Sequence, residues 1–328
     1  MVNHKSVVSK TRNSNIELFR IVSTLLVLVV HFNGWFVGGL PNSYDLQTFS
    51  VQEGVQLYIQ GLSCCCVNCF LVISGWYGVK LKFSSIWKIW LILISVYVPC
   101  YLVNCYINQN FSFRELADSI VAFSRESYYI QNYLILVFIS PMLNSFVEKF
   151  GQRITSYVLT FWAIEFIMEY LCRNRCLYIE HGYSLFHFVI MYLLGRTAYL
   201  NKEILLRLSG KWYLLLYFVI ALVIACGRGI FASRGPFVTA YSNPLNVVEA
   251  FCLFFCFVQL NFNNKVVNYI ASATLTVYVL QVTTPVFERL KEIDMYLLNN
   301  FSYGVYLALF SPLGIYLKKK ISNFFVYE

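Results

Sequence analysis

Hydrophobic runs long enough to cross a bilayer recur along the 328-residue chain, and short polar segments separate them. A transmembrane helix needs about 20 predominantly apolar residues. Ten such runs can be placed, at 16–37, 55–79, 86–107, 128–147, 154–172, 183–200, 212–231, 244–262, 266–287 and 301–317. The ninth gives the weakest signal because it is short and rich in Ser and Thr. The pattern predicts an all-α, polytopic integral membrane protein with about ten transmembrane helices.

The segments between these runs are too short to hold a soluble domain. The longest predicted external loops, 38–54 and 108–127, have the size of gating or substrate loops. We therefore expect one membrane-embedded domain over residues 1–328, with a short cytoplasmic tail at residues 1–15 and no appended soluble domain.

The distribution of basic residues predicts the orientation. If the N-terminus is cytoplasmic, about two thirds of the 25 Lys and Arg residues fall in cytoplasmic segments, which is the expected bias. Both termini are then cytoplasmic. Lys5, Lys10 and Arg12 resemble the start of a signal peptide, but the apolar run after them is too long and no small-residue cleavage site follows. We interpret this run as a retained first span in the inner or plasma membrane.

Composition supports the same class of protein. The chain is 59% hydrophobic and 12% charged, with a mean hydropathy of +0.61, which excludes an ordinary soluble domain. Basic anchors at the ends of spans account for the net charge of +9. Since no RNA- or DNA-binding module is visible, we expect the lipid bilayer, and not nucleic acid, as a partner.

The first hydrophobic run carries three ionisable residues, Glu17, Arg20 and His31. Arg20 and His31 are eleven residues apart, so on a helix they share one face and lie roughly 16 Å apart along the axis. Glu17 precedes Arg20 by three residues and can pair with it. Charged groups inside a span are costly and indicate function. The alternative is that Arg20 extends to the interface and that His31 only packs between helices.

The second run combines polar, small and basic residues. Asn68 is an intramembrane amide, and Ser74 with Gly75 allows close approach of another helix near the cytoplasmic end. Lys80 and Lys82 follow at once and form a basic mouth that could receive an anionic ligand. Ordinary anchoring by basic residues on the cytoplasmic side is an equally good reading.

The fifth run contains Glu165 and Glu169, which share a helix face. They can shape a polar vestibule that binds substrate, or Glu169 can form a structural ion pair with Arg173, four residues later. His181 and His187 lie near the outer end of the next run and are weaker candidates for an external acceptor site.

The cysteines give no metal signal. Cys64, Cys65, Cys66 and Cys69 lie in an apolar run without His or acidic residues nearby, and a second pair of ligands is missing. We expect no metal and interpret these residues as small packing groups. Cys172 and Cys176 flank a predicted external turn, and their pairing stays open.

Several motifs in order resemble the acyltransferase-3 family of membrane acyltransferases. The first is the glutamate, arginine and histidine of the first span. The later ones are CFLVISGWY at 69–77, YYIQNYLILVFISPMLN at 128–144, GYSLFHFVIMYLLGR at 182–196 and IASATLTVYVLQ at 270–281. The last segment ends in Gln281, where many relatives have histidine, so His31 is the better candidate for the catalytic imidazole. Ten spans with both termini inside also fit this family.

The resemblance implies transfer of an acyl group, usually acetyl, from cytosolic acyl-CoA to a sugar hydroxyl of a surface or exported polysaccharide. Acetyl-CoA would be a co-substrate, with no permanently bound cofactor, and the acceptor a glycan or lipid-linked oligosaccharide. Arg20 with Lys80 and Lys82 would bind the CoA phosphates. His31 would act as general base or nucleophile. Asn68 or Ser74 would line the channel or stabilise the oxyanion.

Two other functions fit a multi-span protein with buried charges. One is a transporter or flippase that exports a glycan or an acyl-substituted precursor. The other is a glycan polymerase, although such enzymes carry a larger external loop than this chain offers. An enzyme should need His31 and acyl-CoA, whereas a transporter should move glycan without modifying it.

Overall fold

The computed structural model describes residues 13–36, 40, 49–121, 128–171, 181–231, 235–283 and 292. Within these residues the chain is helical and contains no β-strand. The helices are α1 Ser14–His31, α2 Val51–Ser63, α3 Cys66–Tyr77, α4 Phe83–Asn108, α5 Phe113–Val121, α6 Tyr128–Phe150, α7 Ile154–Phe166, α8 Leu185–Leu200, α9 Lys202–Leu205, α10 Gly210–Ile230, α11 Gly235–Val238, α12 Pro244–Val258, α13 Lys265–Ala271 and α14 Thr274–Gln281.

Five helical stretches among the described residues are long and apolar enough to cross a membrane: Ser14–Gly34, Val51–Tyr77, Phe83–Asn108, Tyr128–Tyr170 and Gly210–Ile230. Helices α8 and α12 are apolar but shorter. The prediction of an all-helical, polytopic membrane protein is thus confirmed. Ten spans and cytoplasmic termini stay predictions, since the tenth run, 301–317, and most of the N-terminal tail lie outside the described residues.

The long stretch from Tyr128 to Tyr170 reverses direction in its middle. Near the start of α6, Asn132 donates a hydrogen bond to the Tyr183 carbonyl just before α8, at 2.8 Å. Near the start of α7, Thr155 accepts one from Asn201 at the other end of α8, at 3.2 Å. The reversal occurs at a 3₁₀ turn that begins at Gly151, whose φ of 54° suits glycine. The two predicted runs are therefore two separate helices, as expected.

Two predicted elements need correction. The ninth run is not one helix, because α13 ends at Ala271 and α14 begins at Thr274. The hydroxyls of Ser272 and Thr274 donate to the carbonyls of Tyr269 and Ala271, which competes with a continuous helix. In addition, the predicted loop 108–127 contains α5, which lies along α4 and is anchored by a 3.1 Å hydrogen bond from Trp90 to Ile120.

Helix α3 lies at the centre of the bundle and packs against α1, α8 and α12. Its crossing with α8 depends on two glycines, since a Cβ atom on Gly195 would lie only 2.8 Å from the Cα atom of Gly75. The close approach that the sequence predicted at Gly75 is thus confirmed. This contact fixes the position of α3, which forms one wall of the candidate site.

Helix α1 is tied to its neighbours at both ends. At its start, the Ser14 hydroxyl donates a hydrogen bond to Oδ1 of Asn268 at 2.9 Å, and the backbone N–H of Asn264 donates one to the Ser14 hydroxyl at 2.8 Å. Just beyond its end, Asn33 donates to Gln60 at 2.9 Å, and both are buried. These bonds fix the rotation of α1, so the side chains on each of its faces have defined neighbours.

Candidate active site

Two adjoining cavities follow one face of α1. The first, of about 290 Å³, extends from Arg20 past Thr24 to His31. The second, of about 390 Å³, extends from Arg20 to Glu17 and Val79 at the end of the bundle. Both are lined by Arg20, Ile73, Ser74 and Tyr133, so they join there. The face predicted from the spacing of Glu17, Arg20 and His31 is therefore the face that lines a passage into the bundle.

His31 lies at the inner end of this passage. The Gln281 side chain is in hydrogen-bonding contact with its imidazole, and the ring centroid of Tyr278 is 6.5 Å away. Thus α14 brings Gln281, the last residue of the segment at 270–281, next to the candidate catalytic group. Thr24 and Val27 line the wall between His31 and Arg20.

Arg20 lies where the two cavities meet and pairs with Glu17, with 3.3 Å between Nη1 and Oε1. The side chain of Arg20 is 41% exposed, whereas that of Glu17 is 8% exposed. The pairing predicted from their spacing is present, and the guanidinium still reaches the cavity. A buried carboxylate therefore orients a cation that can bind an anionic ligand.

The mouth next to Arg20 is formed by the turn after α3. Gly78 and Val79 line it, while the following Lys80 and Lys82 are exposed beside it and do not line either cavity. Gly78 has a φ of 67°, and a Cβ there would lie 2.9 Å from a guanidinium nitrogen of Arg196. Arg196 is thus a further cation at the mouth, and the sequence analysis did not single it out.

Aromatic rings form the wall opposite α1. Tyr129 packs edge-on against Phe70 at 6.2 Å and Tyr278 at 5.8 Å, and its ring is stacked with that of Tyr133 at 6.0 Å. All four rings line the cavity that reaches His31. Sequence reasoning assigned no role to these tyrosines, although the aromatic-rich start of α6 was the available signal. Ser74 lines both cavities with its hydroxyl bonded to the Phe70 carbonyl at 2.9 Å.

Asn68 and Glu165 lie elsewhere, sealed inside the bundle. Nδ1 of His187 is 3.0 Å from Glu165, Nε2 is 2.9 Å from Asn68, and all three residues are 0% exposed. The amide of Asn68 donates to the Tyr241 carbonyl at 2.8 Å. Neither Asn68 nor Glu165 lines the two cavities, and a role of either residue in substrate binding stays a prediction. Their hydrogen bonds connect α3, α7 and α8.

Glu169 is also paired with a histidine. Its Oε1 atom is 3.1 Å from Nδ1 of His181, and its other oxygen accepts a hydrogen bond from Ser242. The predicted partner Arg173 lies outside the described residues, as do Cys172 and Cys176. Glu169 is buried and does not line the passage to His31.

The four clustered cysteines are buried around the start of α3, and 3.9 Å separates the sulfur atoms of Cys65 and Cys69. Within the described part of the chain, no three His, Cys, Asp or Glu side chains are arranged to hold a metal ion.

The chain matches a family model described as an acyltransferase domain, of the acyltransferase-3 family, over residues 13–318. No curated protein and no solved structure matches the chain significantly. The matched region contains every candidate site residue discussed above and nearly the whole chain. Together with the apolar helical fold, this match shows that the chain belongs to the acyltransferase-3 family and is a membrane acyltransferase.

Proposed function

We propose that this protein transfers an acyl group, acetyl in the simplest case, from cytosolic acyl-CoA to a sugar hydroxyl of a surface or exported polysaccharide. The inner or plasma membrane is the proposed location. The observation that supports this best is the passage along α1, with a cation at its mouth and an imidazole at its inner end. A donor with an anionic head and a long thin arm suits that arrangement.

Arg20 is the proposed anchor for the CoA phosphates, because a guanidinium binds phosphate oxygens in a bidentate manner. It remains 41% exposed while Glu17 holds it. Lys80 and Lys82 flank the same mouth and raise the local concentration of an anionic donor. The phosphates would stay at the mouth while the acyl arm extends toward His31.

His31 is the proposed catalytic group. As a general base it takes the proton of the acceptor hydroxyl while that oxygen forms a bond to the acyl carbon. The carbon–sulfur bond then breaks, and CoA leaves as the thiol after receiving the proton. As a nucleophile, His31 would first carry the acyl group itself and pass it to the hydroxyl in a second step. Gln281 is the proposed positioning residue for the ring in both routes.

The test is the O-acyl content of the polysaccharide, measured by NMR on cells with the intact gene, a deletion, or His31→Ala. We expect the acyl signal to be lost in the deletion and in His31→Ala while the yield of glycan is unchanged. Ser23→Ala is the matched control, because Ser23 is on the same helix but bonds the Phe19 carbonyl and does not line the passage.

Purified protein provides the donor side of the test. With radiolabelled acetyl-CoA, Arg20→Ala should raise the KM for the donor, and Arg20→Lys should recover part of the loss. If O-acylation persists in the His31→Ala cells but surface glycan disappears, the protein is a transporter and the proposed chemistry is wrong.

A further inference from the structure

Two glutamates four residues apart each hold Nδ1 of a histidine, but the two pairs differ in access to solvent. The side chains of Glu165 and His187 are both 0% exposed, and Nε2 of His187 is occupied by an amide. In the second pair, Glu169 is 3% exposed and His181 is 39% exposed. The first pair is fully buried, whereas the second pair leaves its imidazole partly exposed at the surface.

His181 is held rigidly from several sides. Nδ1 contacts Glu169, whose other oxygen is bonded by Ser242, and the His181 carbonyl accepts the Tyr241 amide at 2.9 Å. Its φ of 52° is in the left-handed region, which is uncommon for a residue with a side chain. Gly182 follows with a φ of 83°, and a Cβ there would lie 2.7 Å from the Ser242 nitrogen. A fixed, exposed ring is the arrangement of a preorganised binding group.

The surroundings of His181 suit a polyhydroxylated ligand. Among the described residues none hydrogen-bonds its Nε2 atom, and the side chain is 39% exposed, so this nitrogen is available as a donor or acceptor. Tyr183, two residues later, is 45% exposed, and Asn132 fixes its carbonyl to α6. The Tyr183 ring packs 4.8 Å from that of Tyr128, which lines the His31 cavity. An exposed polar group and an exposed ring therefore lie next to the wall of the candidate active site.

This surface is at the opposite end of the bundle from the donor mouth. Helix α8 begins next to the His181 turn and ends near Arg196, which lies against Gly78 at the mouth. A ligand at His181 and a donor at Arg20 would thus approach His31 from opposite ends. That separation is expected of an enzyme that joins two substrates from the two sides of a membrane.

We propose that His181 and Tyr183, positioned by Glu169, form an acceptor subsite that binds a saccharide. Nε2 hydrogen-bonds a sugar hydroxyl, and the tyrosine ring packs against the apolar face of the sugar ring. This inference rests on the proposed function, because it gives the sugar acceptor a binding site. Because neither residue lines the cavity that contains His31, the subsite binds a neighbouring sugar unit and not the hydroxyl that reacts.

The test is direct binding of an oligosaccharide to the full chain in lipid nanodiscs, measured by saturation-transfer NMR. The probe is an oligosaccharide released from the producing cell's surface polysaccharide and stripped of O-acyl groups with mild base. We compare His181→Asn and Tyr183→Ala with Tyr106→Ala, an 80% exposed tyrosine near the end of α4. Asparagine tolerates the left-handed backbone and its amide can still donate to Glu169, but it lacks the outward nitrogen.

We expect the Kd for the probe to rise about tenfold in His181→Asn and in Tyr183→Ala, and to stay unchanged in Tyr106→Ala. Unchanged binding in both variants, with normal elution from a size-exclusion column, overturns the subsite. An equal loss in Tyr106→Ala overturns it as well. Selective loss of binding together with full O-acylation in His31→Ala cells would uphold the subsite and reject the proposed acyl transfer.

Discussion

The sealed Glu165–His187–Asn68 network allows a stability prediction to be worked out from its hydrogen bonds. The Tyr241 carbonyl can only accept, so it fixes the Asn68 amide nitrogen on its own side. The Asn68 oxygen must then face His187, and Nε2 of His187 must carry a proton. On the other side of the ring, Nδ1 is 3.0 and 3.2 Å from the two oxygens of Glu165, and shares a proton with that carboxyl group.

His187→Ala removes these bonds and leaves the Glu165 carboxyl sealed without a partner. Removing one member of a buried ion pair costs about 3–5 kcal/mol, whereas hydrogen bonds between membrane helices average about 0.6 kcal/mol. The larger figure applies because the abandoned group is an acid and both residues are 0% exposed. We therefore expect a loss of about 3 kcal/mol or more in the free energy of unfolding.

Glu165→Gln is the matched variant. Its amide can donate to Nδ1 while the Nε2 hydrogen still bonds Asn68, so both contacts survive. The expected loss is about 1 kcal/mol, the value of exchanging a charged for a neutral hydrogen bond. Unfolding of both variants is measured by titrating SDS into the purified protein in mixed micelles. The assigned proton positions and the buried hydrogen-bond network are wrong if His187→Ala lowers the free energy of unfolding by less than about 1 kcal/mol. They are also wrong if Glu165→Gln lowers it as much as His187→Ala does.

Three further predictions concern packing, the donor mouth and the catalytic ring. Gly195→Val should lower the free energy of unfolding by about 1–3 kcal/mol, because the new side chain meets the facing glycine of α3. Gly34→Ala should leave that free energy unchanged in the same assay, because no atom lies within 4 Å of the new Cβ. Combined Lys80→Glu and Lys82→Glu should raise the donor KM at low salt, and the effect should shrink as salt is added; an effect independent of salt contradicts a role in attraction. Gln281→Leu should lower kcat without changing the donor KM, whereas Gln281→His should retain activity; equal changes in kcat and KM would contradict a positioning role.

The sequence predicted the helices best where apolar length alone decides them. The run at 86–107 corresponds to α4, Phe83–Asn108, and the run at 212–231 to α10, Gly210–Ile230. It failed at 266–287, because hydropathy does not register the competition between Ser272 or Thr274 hydroxyls and the helix backbone. The amphipathic α5 was missed for a similar reason, since it is too short and polar to read as a span.

The candidate site divides in the same way. Glu17, Arg20 and His31 share one helix, so their common face follows from the helical repeat alone. Asn68 and Glu165 gave equally polar signals, but their partners come from other helices and consume their hydrogen-bonding capacity. The packing of the helices decides which intramembrane polar groups face a cavity and which face each other. The periodicity of a single sequence does not determine that packing.

Under the proposed function, the two ends of α1 would contact two parts of one donor. The separation of Arg20 and His31, roughly 16 Å along a single helix, is fixed however the surrounding helices adjust. A compact donor could not contact both residues at once, whereas a linear arm with an anionic head can. The mouth at Arg20 is basic and open, and the far end next to Tyr128 is aromatic and uncharged. The proposed donor would therefore keep its charged head group at the mouth, while its uncharged arm would extend to His31.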